Sequence, residues 1–383
     1  MFFYVDVLFI YTLFTTILVL LFNNLFLGGY STMIKTLKKS LILSASLALL
    51  LPNVANADMN VSRISGMDRY DTATKVQQNY YTKANGNLAI IASGSDFRTS
   101  LYGSYMANSL KVPFYVIPNT GMSKAMFNEL KDKQVNRAYV MGDYKLLNRS
   151  IDNSLKSIGI KVTRFYDRYE DGFYQNIFSY IDTPIFETFF PGEPRGDVSC
   201  AIIINDKKFP DLLSSIPFVS TLAREQATYL ASYQSFETTS DFKFIIGGYS
   251  TVPSYIKTLP GDHMGLNIHS WDNINFDDDN IFYTGRIAGQ DRYKTAIEIA
   301  KAYKPVLKKN ITTAVIVDGT NYPDALASGT VAIMNNGAIL LTNPKKLSED
   351  TKSFIQESNI KNIIIVGGEK SVSKDVENEL KGL

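Results

Sequence analysis

Arg286-Ile-Ala-Gly-Gln-Asp-Arg-Tyr-Lys-Thr-Ala296 runs into a helical pattern, then Thr313-Ala-Val-Ile-Val317 and Gly319-Thr-Asn-Tyr-Pro-Asp-Ala-Leu326 follow. Ala296, Ile299, Ala300 and Tyr303 recur at helical spacing and mark one apolar face. Asp291 stands where a helix cap belongs, and Pro323 suits the first turn of a helix beginning near Asp324. The run 313–317 is short, continuous and rich in Val and Ile, the habit of a strand buried on both faces of a parallel sheet. Two more such runs follow, Gly337-Ala-Ile-Leu-Leu341 and Ile363-Ile-Ile-Val-Gly-Gly368. Strands alternating with helices imply βαβ units.

The pattern occurs three times. Asp68-Arg69-Tyr70, Asp167-Arg168-Tyr169 and Asp291-Arg292-Tyr293 lie 99 and then 124 residues apart. The first copy continues with Leu88-Ala-Ile-Ile-Ala92, Pro113-Phe-Tyr-Val-Ile117 and Ala138-Tyr-Val-Met-Gly142, and Asp68 is placed as a cap. The second has Ala201-Ile-Ile-Ile204, Phe209-Pro-Asp-Leu-Leu213, Ala227-Thr-Tyr-Leu230 and Phe244-Ile-Ile-Gly-Gly248. A repeat of this size is one structural module. The expected fold is α/β, with three tandem parallel-sheet βαβ modules over 58–163, 164–285 and 286–383. Two insertions lengthen the second copy: Asp182 to Ser199, read as a loop for its prolines at 184, 191 and 194, and Leu259 to Thr284.

Residues 1–57 stand apart. Met33 to Ala57 reads as a secretory signal peptide: Lys35, Lys38 and Lys39 ahead of an apolar core, then Ala55-Asn-Ala57 as cleavage site. The apolar stretch Phe2 to Phe26 is long enough to span a membrane, yet precedes a complete signal peptide. Two readings fit it: a mis-assigned start with Met33 the true one, or a membrane anchor. Secretion implies a mature chain from Asp58, not embedded in a membrane. Without residues 1–57, Lys+Arg falls from 39 to 36 and Asp+Glu from 37 to 36, so that chain is formally neutral. A neutral chain lacks the basic field that nucleic acid requires. Cys200 is the one cysteine, which excludes internal disulfides and reads as a thiol on a strand. The two histidines, His263 and His269, share the second insertion with Asp277-Asp-Asp279 and match no metal-ligand spacing. No cofactor motif is present: Gly247-Gly248 and Gly367-Gly368 lack the spacing of either nucleotide fingerprint and read as tight turns.

Taken with Tyr322-Pro-Asp-Ala-Leu-Ala327, Ile339-Leu-Leu-Thr342 and Ile364-Ile-Val-Gly-Gly368, the segment 286–296 closely resembles the type 2 cell-wall-binding repeat of clostridial surface proteins. The resemblance covers residues 63–383. Copy one departs where Arg98-Thr99 replace Pro-Asp, and copy two where Phe165-Tyr166 stand in place of the glycine before Asp-Arg-Tyr. The resemblance implies a pseudo-threefold trimer of modules within one chain, on the bacterial surface, held non-covalently to an anionic secondary wall polysaccharide. It implies a non-catalytic, minor S-layer-associated component, with other S-layer proteins as further partners, since the modules fill the chain after 57.

Arg69, Arg168 and Arg292, with Arg63 and Arg286, are the expected polymer ligands, as guanidinium forks suit phosphodiester oxygens. Three equivalent weak sites would then act by avidity. The structural alternative has each Asp capping, each Arg pairing with a carboxylate and each Tyr packing. The resemblance also gives Ile339, Leu340 and Leu341 a place in polymer retention, though the run is most simply a buried strand. The competing function is a wall-active hydrolase using Asp211 or Asp324; scarce histidine and the lack of a Ser-His or Cys-His set weigh against it.

Overall fold

The computed structural model describes residues 59–170, 173–175, 177–193, 200–235, 242–256 and 285–383. The signal peptide, the apolar stretch ahead of it and the Leu259–Thr284 insertion lie outside the described residues.

Each apolar run is a strand in a four-stranded parallel sheet. In the first sheet β2 (Leu88–Ser93) is flanked by β3 (Phe114–Ile117) and β4 (Arg137–Met141). Along β2 the side chains alternate: Ile90 and Ala92 join the central core, while Ala89 and Ile91 join an outer core with Met126, Leu130, Ile151 and Leu155. That is why the run is apolar throughout, with helices covering both faces. The second sheet has β8 (Cys200–Ile204) between β9 (Thr228–Ser232) and β10 (Phe242–Ile246). The third has β12 (Thr313–Asp318) between β13 (Gly337–Thr342) and β14 (Asn362–Val366).

The fourth strand of every sheet is the one that leads into the Asp-Arg-Tyr of the next copy. β5 (Lys161–Phe165) pairs with β4, β11 (Arg286–Ile287) with β10, and β1 (Asn60–Ile64), from the start of the described chain, closes on β14. Three sheets thus pass one strand each around a closed ring, with pseudo-threefold symmetry.

The helix after each central strand lies on the axis of that ring: α2 (Phe97–Leu110), α7 (Phe209–Gln226) and, in copy three, a 3-10 turn (Pro323–Ala325) followed by α9 (Ser328–Met334). The helix expected near Asp324 is therefore divided in two. All three copies meet at Gly329, where a Cβ would lie 2.5 Å from Asn108 Nδ2, 2.8 Å from Ile216 Cγ2 and 3.1 Å from Ser104 Oγ. Ser220 Oγ donates to the Tyr105 carbonyl, and Arg224 Nη1 to that of Asn108.

Helices α1 (Arg69–Tyr80) and α8 (Arg292–Leu307) follow Asp-Arg-Tyr in copies one and three. Asp68 accepts from the backbone N–H of Tyr70 and Asp71, and Asp291 from that of Lys294, so both are caps. The outer helices are α3 (Lys124–Asp132), α4 (Arg149–Ser157), α10 (Glu349–Glu357) and α11 (Lys374–Lys381). In copy two Asp-Arg-Tyr instead enters an antiparallel hairpin, β6 (Arg168–Glu170) with β7 (Phe173–Gln175). The short helix α5 (Phe178–Ile181) and α6 (Thr183–Phe189) come next. The segment after Asp182, expected as a loop, is helical over Thr183–Phe189, because Pro184 falls in the first turn and Ile185 and Phe186 are buried.

Candidate functional site

Parallel α/β sheets offer ligands the carboxyl ends of their strands. Here those ends, the loops carrying Asp-Arg-Tyr and the first turns of the axial helices share one pole of the ring.

Arg69 and Arg292 occupy equivalent places there. Each donates from Nη1 to the carbonyl of the glycine after the central strand, Gly94 and Gly319, at 2.6 Å in both cases. Tyr70 and Tyr293 lie against those same glycines: a Cβ on Gly94 would come within 2.6 Å of the Tyr70 ring, and one on Gly319 within 2.9 Å of Tyr293. Gly66 and Gly289 make the tight entry to each helix, since a Cβ would sit 2.4 Å from Thr72 N and from Lys294 Cβ respectively. Their N–H groups donate to Thr72 Oγ1 and Thr295 Oγ1. Both arginines are thus set by hydrogen bonds to backbone.

Copy two differs at every one of these points. Asp206 stands, buried, at the position of Gly94 and Gly319, and Tyr169 is 79% exposed. No glycine precedes Asp167. Arg168 lies in the hairpin with its guanidinium 4.8 Å from the Tyr180 ring centroid. Arg98, the departure in copy one, meets the departures of copy two: it donates to Asp206 and, at 2.9 Å, to Asp167. Asp206 also accepts from Ser232 Oγ, and Asp167 from the Ile177 N–H. The three Asp-Arg-Tyr arginines are therefore not equivalent.

Arg63 and Arg286 serve a different end. Arg63 donates to the carbonyls of Gly367 (2.7 Å) and Val372 (2.9 Å) and pairs with Glu377. Arg286 donates to Gly247 (2.6 Å) and Val252 (3.0 Å). Arg164, which the sequence reading missed, completes the set with Gly142 (2.9 Å), Leu147 (2.7 Å) and Asp152. Each sits on the exchanged strand and grips the turn that follows the third strand of the sheet it enters. Gly142, Gly247 and Gly367 have φ of 109°, 113° and 120°, the conformation that turns those carbonyls toward the guanidinium. The signal was present in the sequence: an arginine three to five residues before every Asp-Arg-Tyr. Ile339, Leu340 and Leu341 are each 1% exposed in β13, inside the core.

Of the two Pro-Asp aspartates, Asp324 accepts from Ser371 Oγ (2.6 Å) and from the Gly368 N–H, tying the axial turn to the turn after β14. Asp211 lies beneath the matching turn of copy two, within 2.9 Å of where a Gly247 Cβ would stand, and is 7% exposed. Burial pushes its carboxyl up to about 6, against the pull of Arg292 and Lys208.

Among the described residues no group of three or more His, Cys, Asp or Glu is placed to hold a metal ion, and no helix is long and apolar enough to cross a membrane.

A ring of parallel α/β sheets with arginines set by backbone at one pole defines the class of protein. Residues 63–152 and 286–377 match the family model of cell wall binding domain 2 (CWB2). These are the two segments in which Asp-Arg-Tyr opens a helix. The fold is that of Cwp6 from Clostridium difficile (TM-score 0.62, 17% identity, 85% of this chain and 48% of that one). Cwp8 from the same organism shares it (TM-score 0.60, 14% identity, 89% and 54%). Among curated proteins, the N-acetylmuramoyl-L-alanine amidase LytC of Bacillus subtilis is 24% identical over 345 residues, 88% of this chain and 60% of the amidase. The amidase enhancer of that organism is 39% identical over 103 residues, 27% of this chain and 14% of its own length. The chain thus spans 60% or less of each of these proteins.

Proposed function

We propose that this is a non-catalytic surface protein that binds the cell wall through an anionic secondary polysaccharide, as a minor component associated with the S-layer. It is exported by the signal peptide at 33–57 and built of modules at 58–163, 164–285 and 286–383. The observation that carries this reading is the matched presentation of Arg69 and Arg292 in the two CWB2 segments. A guanidinium held from one side by a backbone carbonyl keeps donors in a fixed fork for an anion. Asp324 is taken up by Ser371 and Gly368 in a structural role, and the charges acting on Asp211 are the cations Arg292 and Lys208, which is no acid–base pair of carboxylates.

The test is retention on purified walls before and after the anionic polymer is stripped chemically. Retention should collapse on stripped walls. Equal retention would overturn the polymer assignment, and release of soluble sugars or peptides from intact walls would overturn the non-catalytic one.

A further inference from the structure

Each of the three sheets is completed by a strand with the same grip. Arg63 on β1, Arg164 on β5 and Arg286 on β11 donate to the carbonyl of the positive-φ glycine after the strand they join, Gly367, Gly142 and Gly247. The seams differ in how the incoming strand is tethered. The chain runs from β4 through α4 into β5, and from β10 into β11 by residues 247–285. Both of these strands are therefore tied to the sheet they complete and, on their other side, to the next copy. β1 has no such tie to its sheet. Its chain connection to β14 runs the long way, through all three copies, although Asn60 stands opposite Asn362.

β1 is also the least buried of the three. None of its residues is fully buried, whereas Phe165 is buried in β5 and both Arg286 and Ile287 in β11. It is held by its ladder with β14, by partial packing of Val61 and Ile64, and by the bonds of Arg63 to Gly367, Val372 and Glu377. Ser65, Gly66 and Met67 join it to the cap of α1, and Met67 is 95% exposed. A segment with few buried groups opens locally at a fraction of the cost of global unfolding.

Opening this seam uncovers two complementary features at once: a strand carrying Arg63, and a sheet edge whose turn and Glu377 are shaped to receive it. An unpaired edge is a template for another strand. In another molecule β5 and β11 carry the same arginine but are tied down on both sides, so the fitting strand that can be given is β1. Seated on a second copy, it remakes the contacts of its own ring, which makes exchange a low-cost route to association.

We propose that β1 is an exchangeable strand, and that the β14 edge, with the turn Gly367–Val372 and Glu377, is a docking site for β1 of a second copy of this chain. This goes beyond the wall-binding reading and does not rest on it, since no residue of the arginine pole takes part.

The experiment mixes two variants of the protein in a Cys200→Ala background, one with Asn60→Cys and one with Asn362→Cys, under a mild thiol oxidant. The two side chains meet at the seam, Asn60 Nδ2 donating to Asn362 Oδ1 at 3.0 Å. Each variant has a single thiol, so a disulfide between positions 60 and 362 must join two molecules. It should form in excess of the random pairing of exposed thiols. Lys161→Cys mixed with Arg137→Cys, the matching positions of the β5–β4 seam, should give random pairing alone. Hydrogen exchange on the unaltered protein gives a readout free of variant effects: amides across β1–β14 should exchange about tenfold faster than those across β5–β4. A 60–362 disulfide at the random level, an equal excess from the 137–161 pair, or exchange no faster at β1–β14 than at β5–β4 would each overturn the proposal.

Discussion

Asp291-Arg292-Tyr293 opens a helix of 16 residues, whereas Asp167-Arg168-Tyr169 runs into a two-stranded hairpin. The tripeptide is identical, so its neighbours decide. Copy three has Gly289 to let the chain turn tightly onto the helix and Gly319 to receive the tyrosine ring. Copy two has neither: Phe165 and the Asp206 carboxylate stand at those positions. That carboxylate would be stranded in the seam but for Arg98, which copy one supplies where copies two and three have proline. The departures of two copies thus meet, and the cost of burying one is offset by the other.

The sharpest way to break this comparison is Arg98→Ala. It leaves Asp206, whose side chain is 2% exposed, without its cation and should destabilise the chain by about 3–5 kcal/mol, read by chemical denaturation. In an Asp206→Gly background the same change should cost much less, with a coupling of about 1–3 kcal/mol. Additive losses would show that the two departures are independent.

Asp211→Asn comes next in size. The folded chain holds this carboxyl at about 6 against an ordinary 3.8, so it binds more protons than the unfolded chain between about pH 4 and 6. Stability from this group is therefore greatest below about pH 4 and is lost as pH rises through 6. The Asn variant should lack that part of the slope and should be more stable than the parent at pH 7 by about 3 kcal/mol. An unchanged slope would place the titration elsewhere.

Asp291→Ala is the smallest change. It removes the cap of α8 and should cost about 1 kcal/mol, seen as a lower melting temperature. Asp167→Ala tests the contrast, because Asp167 answers to Arg98 and the Ile177 N–H and opens no helix. Its loss should be smaller when Arg98 is also removed, while that of Asp291 should not change.

The sheets were legible because both faces are covered, which makes Ala201–Ile204 or Val315–Val317 apolar without a break. The caps at Asp68 and Asp291 were legible from local chemistry. What could not be read was the exchange of strands. Pairing of Arg63 with Ile365 joins residues 302 positions apart, and no local pattern records that register. For the same reason no local pattern showed that the guanidinium groups of Arg63 and Arg286 donate to backbone carbonyls of the turns their strands enter. The loss of glycine before Asp167 was visible, but its consequence needed Asp206 and Arg98, which meet only in space.

In the proposed function the wall is held by Arg69 and Arg292, set in the two CWB2 segments, and not by Arg168, displaced into the hairpin. The most direct measurement is retention of Arg69→Ala/Arg292→Ala and of Arg168→Ala on purified walls, each with its melting temperature. The account predicts that the double variant keeps its fold and loses retention at least tenfold, while Arg168→Ala binds as the parent does. A folded double variant that binds normally, or an equal loss in Arg168→Ala, would contradict it.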